Sequence, residues 1–582
     1  MAEIFETVIE QFKFSDGGAE KVKHLSKGEN WPVVYILNGS KYAYVGETNN
    51  AYRRIGQHLK NEKRNSMKRV SIILGDEFNK SATLDIENKL IQHMHADRVF
   101  ILQNENAGQS VRNNYYQKEA YEQTFQEIWK KLIELGLAKH NLYAIRNSEI
   151  FKYSPYKELT EEQFECVELL LKLTGHSLST GDKEKLIVEG GAGTGKTVLA
   201  IYFIKCLVDL INKNTNFEDL DTVLPEGSEL LESIELVKTI QEHKDLKIGY
   251  VIPTPSFKKT VQRIFKLTPG LSPKMVISPV DVWKEKYDII IVDEAHRLKN
   301  YEGTQQHGFH KQANRELGID EKASELSMVM AEKRPLTVLF YDPLQTIRKS
   351  DVNPAEFDDL INDNSIYKHE LTTQLRLKGG NDYVRFVKSL FTNKPITYTP
   401  EKYIFESVEN PDELMRIIKQ KNEETRGLCR VLAGFAYKFN NNVRKKRVTT
   451  IGSDVDVNGD GKYVYDWNPK YNDSNAVIDD KNIDKIVSVF ACQGYDLNYA
   501  GVILGPDIYY DKKTKSIEVN LQYVKDKKMK IKGDYEATKR NVLNQYLVLL
   551  TRGIEGTYFY AVDEGLRHFI ESLIVIKKED IN

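Results

Sequence analysis

Five residues in the middle of the chain have the types and spacing of a phosphate-binding loop. In the segment EGGAGTGKT, Gly190, Gly193, Gly195, Lys196 and Thr197 follow the pattern GxxxxGKT between a predicted strand and a predicted helix. Such glycines let backbone N–H groups face phosphate oxygens. The lysine can then reach the β- and γ-phosphates, and the threonine hydroxyl can bind Mg²⁺. The context predicts a nucleoside triphosphate site rather than a simple turn.

An acidic pair further along the chain completes this chemistry. The segment YDIIIVDEAHRL delivers Asp293 and Glu294 to the end of a buried strand, where ligands bind in open α/β sheets. Asp293 can hold Mg²⁺ directly or through water, and Glu294 can orient the water that attacks the γ-phosphate. An acidic pair can also merely cap a helix. Together with the phosphate-binding loop, however, the pair predicts nucleotide hydrolysis.

Two tyrosines and a basic helix near the N-terminus suggest a second site. Tyr35 and Tyr44 lie on two predicted strands, and Arg54 and His58 project from one face of the next predicted helix because they are four residues apart. Residues 52–69 hold seven Lys or Arg and one Glu. Such a surface could bind phosphates, although a solvated helix explains the charge almost as well.

Composition narrows the class of protein. The chain has 582 residues and a hydrophobic fraction of 41%, which predict two to four globular domains. The net charge of −1 does not by itself indicate a nucleic-acid partner. No apolar run approaches the ~18 residues of a membrane span. The acidic start lacks a secretory signal, and four scattered cysteines favour a reducing compartment, so we expect a cytoplasmic protein. His93 and His95 point to different faces of a predicted helix and are not expected to bind metal.

The elements that must position these residues form an α/β multidomain pattern. Residues 1–113 read as a small α+β domain, and residues 114–155 read as a helical connector. Apolar strands then alternate with helices, which is typical of parallel sheets. We therefore predict two tandem parallel-sheet domains over residues 156–395 and 396–582.

From about residue 158 to its end, the chain resembles the superfamily 1 helicase-type NTPases, whose two domains are RecA-like. The letters DEAH suggest superfamily 2, but the last motif of that superfamily is rich in Gln and Arg, and VLLTRG is not. The matching segments are LTEEQFECVELL with Gln163 (Q motif), YDPLQTI with Asp342 and Gln345 (motif III), LTTQLRLKGG with Arg376 (motif IV), FACQGYDLNYAGVILG with Gln493, Gly494 and Asp496 (motif V), and NQYLVLLTRGIEGTYFY with Arg552 (motif VI).

This resemblance implies roles that the residues alone would not assign. Gln163 would recognise adenine, and Gln345 would link the nucleotide state to the bound strand. Arg376 and Arg552 would neutralise charge on the γ-phosphoryl oxygens. Gly494 would line the nucleotide cleft between the two domains, which would close on ATP and reopen after hydrolysis. In motif V, Asp496 replaces the Glu that is frequent in the family.

The N-terminal residues resemble the GIY-YIG nuclease family. VVY, residues 33–35, stands for GIY, and YVG, residues 44–46, stands for YIG. The helix supplies the Arg and His of the family, and DIENKLI supplies Glu87 where the family keeps its metal-binding Glu. LQNENAG offers Asn104 or Asn106 as the last motif residue. The two valines depart from the Gly-Ile of the family and leave the tyrosine in place.

The GIY-YIG resemblance implies a metal-dependent phosphodiesterase. Glu87 would hold Mg²⁺, or Mn²⁺, and Arg54 would clamp the phosphate. Tyr35 would position or deprotonate the water, with Tyr44 and His58 in support. A tyrosine with the usual pKa of about 10 is a poor base at neutral pH. We therefore expect the metal or Arg54 to lower the pKa of Tyr35.

Together, the two resemblances predict an ATP-dependent DNA-processing enzyme. A metal-dependent endonuclease would be joined to a superfamily 1 helicase or translocase, and defence against foreign DNA is the expected setting. The alternative is a nucleotide-gated switch whose N-terminal module binds nucleic acid or protein without cleaving. Nothing in the sequence separates RNA from DNA, because phosphate contacts carry no base information. Polarity, unwinding, cleavage specificity and oligomeric state are equally open.

Overall fold

The chain forms two compact units in the computed structural model. The residues described are 4–104, 115–146, 148–157, 159–191, 193–212, 234–304, 306–331, 334–345, 350–375, 377–425, 428–437, 453–467, 480–492, 497–526 and 529–575. The first unit comprises Met1–Glu184, Thr197–Ile248 and Thr260–Met275, and the second comprises Lys185–Lys196, Gly249–Lys259 and Val276–Asn582.

The N-terminal part of the chain contains five strands and seven helices among the described residues. They are β1 (Thr7–Lys13), α1 (Asp16–Lys23), β2 (Val33–Asn38), β3 (Tyr42–Thr48), α2 (Ala51–Leu59), β4 (Arg69–Gly75), α3 (Lys80–Asp97), β5 (Ile101–Leu102), α4 (Lys118–Glu134), α5 (Leu142–Arg146), α6 (Glu149–Lys152) and α7 (Glu161–Thr180).

The five strands form one sheet in the order β1-β4-β2-β3-β5. Strand β2 pairs antiparallel with β3 and β4, β1 pairs antiparallel with β4, and β3 pairs parallel with β5. Alternate residues of β2 enter different cores. Val34 and Ile36 pack with α3 and α4, whereas Val33, Tyr35 and Leu37 pack on the opposite face with α1 and α2. Because both faces are covered, all six residues of β2 are buried, and the predicted small α+β domain is confirmed.

The helices of the predicted connector share a core with α3. Phe125 and Trp129 of α4 are buried beside Ile86 and Leu90 of α3. The ring of His93 lies 5.1 Å from Phe125 and 5.7 Å from Trp129, centroid to centroid. Helices α4 to α6 therefore belong to the same unit as the N-terminal sheet.

The middle of the chain forms a six-stranded sheet in the order β11-β6-β10-β9-β7-β8. The pairs β11 with β6, β10 with β9, and β7 with β8 are parallel. All four residues of β9, IIIV, are buried, as expected for a strand covered on both faces. The elements are β6 (Glu184–Gly190), α8 (Lys196–Asn212), α9 (Ile234–Glu242), β7 (Ile248–Val251), α10 (Pro255–Leu267), β8 (Val276–Ile277), β9 (Ile289–Val292), α11 (His307–Glu316), α12 (Glu325–Ala331), β10 (Leu336–Tyr341), α13 (Pro354–Asn362) and β11 (Tyr367–Leu371).

The last part of the chain forms a seven-stranded sheet, β12-β20-β17-β13-β16-β15-β14, and a separate hairpin, β18-β19. Its pairs are parallel except for the antiparallel edge pair of β14 and β15. The elements are α14 (Gly380–Leu390), β12 (Ile404–Ser407), α15 (Pro411–Glu424), β13 (Cys429–Ala433), β14 (Ser453–Asp456), β15 (Val464–Trp467), β16 (Ile486–Ser488), α16 (Val489–Cys492), β17 (Leu497–Leu504), β18 (Ile508–Asp511), β19 (Ser516–Val519), α17 (Tyr535–Leu550), β20 (Gly553–Ala561) and α18 (Glu564–Ser572).

The two sheets confirm the predicted tandem arrangement of parallel-sheet domains in an α/β chain. The exact domain boundaries stay predictions. Within the described ranges, no helix is both long enough and apolar enough to cross a membrane.

The buried histidines of α3 predict that the N-terminal core is weakened by acid. Burial lowers the pKa of His93 to about 3 and that of His95 to about 4. Below the usual histidine pKa of about 6.5, the unfolded chain therefore binds protons that the folded chain does not. The free energy of opening should fall by up to ~1.4 kcal/mol per pH unit for each histidine as the pH drops from ~6.5 to ~4.

Hydrogen exchange of the α3 amides between pH 4 and 7, corrected for the intrinsic exchange rate, measures this slope. A variant with His93→Leu and His95→Leu should show a shallower slope, whereas His24→Leu at an exposed position should keep it. An unchanged slope in the double variant would contradict the assignment.

Candidate active sites

Two side chains of α2 contact the hydroxyl of Tyr35, which is buried on the face of the N-terminal sheet that α2 covers. Tyr35 Oη lies 2.8 Å from His58 Nε2, and Arg54 Nε donates to Tyr35 Oη at 3.3 Å. Burial, together with the charges of Arg54 and Arg64, lowers the pKa of His58 to about 3, so its ring is neutral. Because the guanidinium can only donate, the Tyr35 O–H is left to donate to His58 Nε2 when the neutral ring carries its proton on Nδ1.

The position of Tyr35 depends on the glycine opposite it in the sheet. Tyr35 and Gly46 are direct partners in the β2–β3 register. A Cβ atom on Gly46 would lie 2.3 Å from Tyr35 Oη and 2.5 Å from Tyr35 Cζ. The ring therefore lies across the bare backbone of residue 46, which gives the last residue of the YVG segment a steric reason to be glycine.

Tyr44 supports the same cluster through its ring. Its centroid lies 5.0 Å from the ring of His58 and 6.2 Å from that of Tyr35. The guanidinium of Arg64 stacks 4.0 Å from the Tyr44 ring centroid and also donates to Gln103 Oε1 at 2.6 Å. The sequence analysis did not single out Arg64, which lies in the basic run and is buried rather than solvated.

Glu87 lies on α3, which packs on the other face of the sheet from α2. Burial and the neighbouring charge of Glu47 raise the pKa of Glu87 to about 8. Charges of Lys80 and Arg54 lower the pKa of Glu87, and the Glu87 charge contributes to raising the pKa of Tyr35. Tyr35, Arg54 and Glu87 therefore share one electrostatic environment although they come from different faces of the sheet.

Glu47 and Lys80 belong to this site and were missed by the sequence analysis. Glu47 forms an ion pair with Lys80, and its second carboxylate oxygen lies 3.5 Å from Thr83 Oγ1. The sequence offered one signal for Glu47. It directly follows YVG, and a carboxylate at that position could bind a cation. Two carboxylates that repel each other in a poorly hydrated place make a donor set that fits a divalent cation.

Arg54 acts on the pKa of Tyr35 in the expected direction, but the net shift of this pKa is upward. The charge and hydrogen bond of Arg54 do lower it, but burial raises the pKa of Tyr35 well above its usual value, and Tyr44 adds to the increase. Tyr35 is therefore a neutral phenol in this structure. Desolvation outweighs one nearby cation because the side chain is completely buried.

Asn104 joins strands rather than reaching Tyr35 or Glu87 in the described contacts. Its Oδ1 accepts from the Val45 N–H at 2.9 Å, and its Nδ2 donates to the Val45 carbonyl at 2.8 Å. Both bonds extend the parallel pairing of β3 and β5. The rival residue, Asn106, lies outside the described residues.

The lysine of the phosphate-binding loop donates hydrogen bonds to the backbone of its own loop. Lys196 Nζ donates to the carbonyls of Gly190 and Gly191 at 2.5 Å and 2.9 Å, and it lies 3.8 Å from Asp342 Oδ2. Gly193 has a φ of +87°, and a Cβ there would lie 2.1 Å from Gln374 Oε1. The left-handed backbone angle thus favours glycine at 193, and a side chain there would displace the flexible amide of Gln374.

The loop leads directly into α8, and the segment after β11 covers it. Helix α8 begins at Lys196 and continues through Thr197, so the Gly195–Thr197 backbone lies at a helix N-terminus, where anions are stabilised. The Leu375 N–H donates to the Gly193 carbonyl at 3.1 Å. Gln374, which also contacts Gly193, was not predicted as a site residue.

Asp293 is fully buried at the end of β9 and is fixed by two hydrogen bonds. Its Oδ2 accepts from Tyr250 Oη at 2.9 Å, and its Oδ1 accepts from the Glu294 N–H at 2.9 Å. Tyr250 lies on the neighbouring strand β7 and was missed by the sequence analysis, because only the sheet order brings it beside Asp293.

Glu294 has the left-handed backbone angle φ +51°, which is uncommon for a residue with a side chain. Arg297 Nε donates to its Oε2 at 2.9 Å, and His296 Nε2 lies 3.1 Å from the same atom. Burial alone would raise the pKa of Glu294, but the charges of His296, Arg297 and Lys196 lower it well below its usual range. The carboxylate is therefore ionised, as orientation of a water requires.

Three further predicted residues lie within the described ranges, and four lie outside them. Gln345 Nε2 donates to Asp342 Oδ2 at 2.6 Å, which links it to the lysine of the loop. Gln163 is buried at the start of α7, where it forms a capping box with Thr160. Arg552 is buried and donates from Nε to the Val548 carbonyl at 3.0 Å. The predicted residues that lie outside the described ranges are Arg376, Gln493, Gly494 and Asp496.

Arg552 and Arg297 both act on Cys492. Burial raises the pKa of the Cys492 thiol to about 11, and the charges of Arg552 and Arg297 both act to lower it. Arg297 is also the partner of Glu294.

We predict that Gly46→Ala displaces the Tyr35 hydroxyl, because the added methyl group occupies its position. The hydrogen bond to His58 should lengthen, which NMR of the His58 ring detects, and any metal-dependent cleavage should fall by about 100-fold, the usual contribution of positioned proton transfer. Gly56→Ala on α2 is the matched control, since a Cβ there meets nothing within 4 Å. Equal behaviour of the two variants would exclude the steric role of Gly46.

Comparisons with known proteins agree with these geometries. The family model described as the GIY-YIG catalytic domain matches residues 32–98, and the model described as Schlafen group 3, DNA/RNA helicase domain, matches residues 183–563. An uncharacterized protein of Saccharomyces cerevisiae is 25% identical over 448 residues, which cover 70% of this chain and 89% of the relative.

Among solved structures, the arterivirus helicase nonstructural protein 10 with DNA matches with a TM-score of 0.29 and 12% identity, over 69% of this chain and 65% of that chain. That match covers less than two thirds of the viral chain. Bacteroides Pif1 bound to ssDNA matches with a TM-score of 0.26 and 12% identity, over 69% of this chain and 92% of that chain. The helicase model covers more than half of the sequence, so the chain belongs to the Schlafen group 3 DNA/RNA helicase domain family and carries an N-terminal GIY-YIG domain.

Proposed function

We propose that the chain is an ATP-dependent nucleic-acid-processing enzyme in which a metal-dependent endonuclease is coupled to a superfamily 1 helicase or translocase. One observation carries this proposal most directly. Tyr35, His58 and Arg54 form a hydrogen-bonded cluster in the electrostatic field of Glu87, and the same chain holds a phosphate-binding loop around Lys196 beside Asp342 at the end of β10.

In the nuclease site, Glu87 and Glu47 would hold the divalent cation. Among the described residues, no group of three or more His, Cys, Asp or Glu gathers for a metal, so water and substrate oxygens would supply the other ligands, as Mg²⁺ favours. The bound ion would stabilise charge on the scissile phosphate and acidify a water. Arg54 would bind the phosphate from the Tyr35 side.

The raised pKa of Tyr35 changes its expected role from an ionised base to a relay. Tyr35 Oη accepts a proton from the attacking water while it passes its own proton to the neutral His58 Nε2, 2.8 Å away. His58 would end as the cation and Tyr35 as a neutral phenol, while the water oxygen bonds to phosphorus, the P–O bond to the leaving strand breaks and the leaving oxygen takes a proton from solvent. The low pKa of His58 keeps its ring free to accept that proton at neutral pH. The same low value limits how long the proton stays there.

In the motor, ATP binding would exchange the internal contacts of Lys196 for phosphate oxygens. Asp293 and Thr197 would hold Mg²⁺, Glu294 would orient the attacking water, and Gln163 would recognise adenine. Arg552 and Arg376 would neutralise the developing γ-phosphoryl charge. Tyr250 would keep the Asp293 carboxylate aimed at the cation. The lysine already lies beside Asp342 and Gln345, which would sense whether the nucleotide is bound.

We propose DNA as the substrate and a cytoplasmic role in defence against foreign DNA. The fusion of a nuclease with a motor supports this setting, and four buried free cysteines fit a reducing compartment. The description of the matched helicase family names both DNA and RNA, so RNA is the alternative substrate.

A second candidate function is a nucleotide-gated switch with a non-cleaving N-terminal module. The ion pair between Lys80 and Glu47 favours it, because an ammonium group already neutralises one of the two carboxylates. In that case the N-terminal domain would bind nucleic acid or protein without hydrolysing it.

We predict that Lys196→Ala lowers the kcat for ATP hydrolysis by at least about 100-fold, because the loop loses its cation for the β- and γ-phosphates. Steady-state phosphate release with single strands, blunt duplexes and no nucleic acid measures this. Lys183→Ala, at an exposed position before β6, should retain wild-type rates. Full activity of Lys196→Ala would exclude the nucleotide site. Stimulation by single strands over duplexes would support translocation.

A further inference from the structure

The hairpin β18-β19 packs on the protein with one face, and its other face is partly covered by α17. Ile508, Ile517 and Val519 are buried in the core of the second sheet domain. Tyr510 stacks on Phe569 of α18, with ring centroids 4.3 Å apart. The hairpin is therefore a fixed part of the fold rather than a loose loop, and part of its other face is available.

Two exposed tyrosines on the other face are held in place by the backbone and by Glu518. Tyr509 is 37% exposed and lies directly opposite Glu518 in the hairpin register. Tyr535, 38% exposed, donates to Glu518 Oε2 at 2.8 Å, and its Oη accepts from the Val519 N–H at 3.2 Å. The negative charge of Glu518 is balanced by Lys539 at 2.7 Å. The outer face therefore presents two aromatic rings beside an ion-paired carboxylate, and Asp511, on the same face, accepts from the Lys513 N–H at 2.8 Å.

The tip of the hairpin is strongly basic. Lys512, Lys513 and Lys515 are all exposed, and the turn between the strands contains no acidic residue. Lys515 has φ +54°, a left-handed angle that glycine or asparagine adopts at lower cost. Lys530 and Lys532, in the loop before α17, are also exposed.

We propose that this surface binds a single strand of nucleic acid, with bases stacked on Tyr509 and Tyr535 and phosphates at the hairpin lysines. The inference rests on the proposed function, because it names where the motor holds its strand. Exposed aromatic rings beside a row of cations are the usual means of binding single strands, since every base has a face that can stack. A duplex hides those faces and would retain only the phosphate contacts.

The test uses the full chain and a fluorescently labelled oligothymidine, with anisotropy measured over a series of KCl concentrations. Tyr509→Ala should weaken binding by about tenfold, the typical effect of removing one stacked base. The triple variant Lys512→Glu, Lys513→Glu and Lys515→Glu should lower the slope of log K against log salt by about 2, since each single-strand phosphate contributes ~0.7.

Matched controls alter exposed residues elsewhere in the same unit. Tyr367→Ala removes an exposed tyrosine of β11, and the triple variant Lys388→Glu, Lys394→Glu and Lys402→Glu reverses three exposed charges. Both controls should leave the affinity for oligothymidine within about twofold of the wild type, because surface changes away from a contact have small effects. A blunt duplex should respond to the hairpin lysines but not to Tyr509→Ala.

Two results would overturn the proposal, and they can be told apart. If the wild type binds oligothymidine and hydrolyses ATP but the hairpin variants match it, the strand lies elsewhere and the proposed enzyme stands. If the wild type neither binds oligothymidine nor hydrolyses ATP, the proposed function fails together with the hairpin surface. Thermal unfolding of each variant verifies the fold. The two hairpin variants change different residues, and the proposal requires that both lose affinity for oligothymidine as described.

Discussion

The hydrogen bond between the buried Tyr35 hydroxyl and the neutral His58 is the interaction on which the N-terminal site depends. Strand alternation sends Tyr35 toward α2, and the Asn50 side chain caps that helix by accepting from the Arg53 N–H at 2.9 Å. The helix therefore begins at the residue that places Arg54 and His58, one turn apart, against the tyrosine. Gly46 completes the arrangement by leaving the space in which the ring lies.

Burial favours the neutral form of three groups in this site. It raises the pKa of Tyr35 and Glu87 and lowers the pKa of His58, so in each case it favours the neutral form. A site of neutral groups beside the cation Arg54 is suited to a substrate that brings its own negative charge and a metal ion. The positive charge of the metal ion would restore the ionised form of Glu87. The same desolvation that disfavours charge in the free protein thus strengthens binding of a charged complex.

The motor domain uses a different constraint, in which parallel strands end at one edge of the sheet. Asp293 and Asp342 lie at the same edge because β9 and β10 are parallel neighbours, and the lysine of the loop lies 3.8 Å from Asp342 Oδ2. Tyr250 holds Asp293, and the left-handed angle of Glu294 turns its carboxylate toward Arg297. Such backbone strain is typical of functional sites. It persists here because buried neighbours fix the chain on both sides.

Local pattern was enough to predict much of the fold and the site. The phosphate-binding loop, the IIIVDE strand and the Arg54–His58 spacing depend on short-range periodicity, and the structure places each as expected. Glu47, Lys80, Tyr250 and Gln374 could not be found this way, since their roles come from strand order and packing across long stretches of sequence. The net upward shift in the pKa of Tyr35 could not be foreseen for the same reason. Its sign depends on complete burial by α1 and α2, which no local segment reveals.

The most direct test of the account is cleavage of labelled single and double strands by the full chain, with Mg²⁺ or with a chelator. The account predicts nicking that requires Mg²⁺ and is lost in Glu87→Ala, while Glu77→Ala, at an exposed position before α3, cleaves like the wild type. Equal cleavage by the wild type and Glu87→Ala, or none by either, would contradict a nuclease centred on Glu87 and Tyr35.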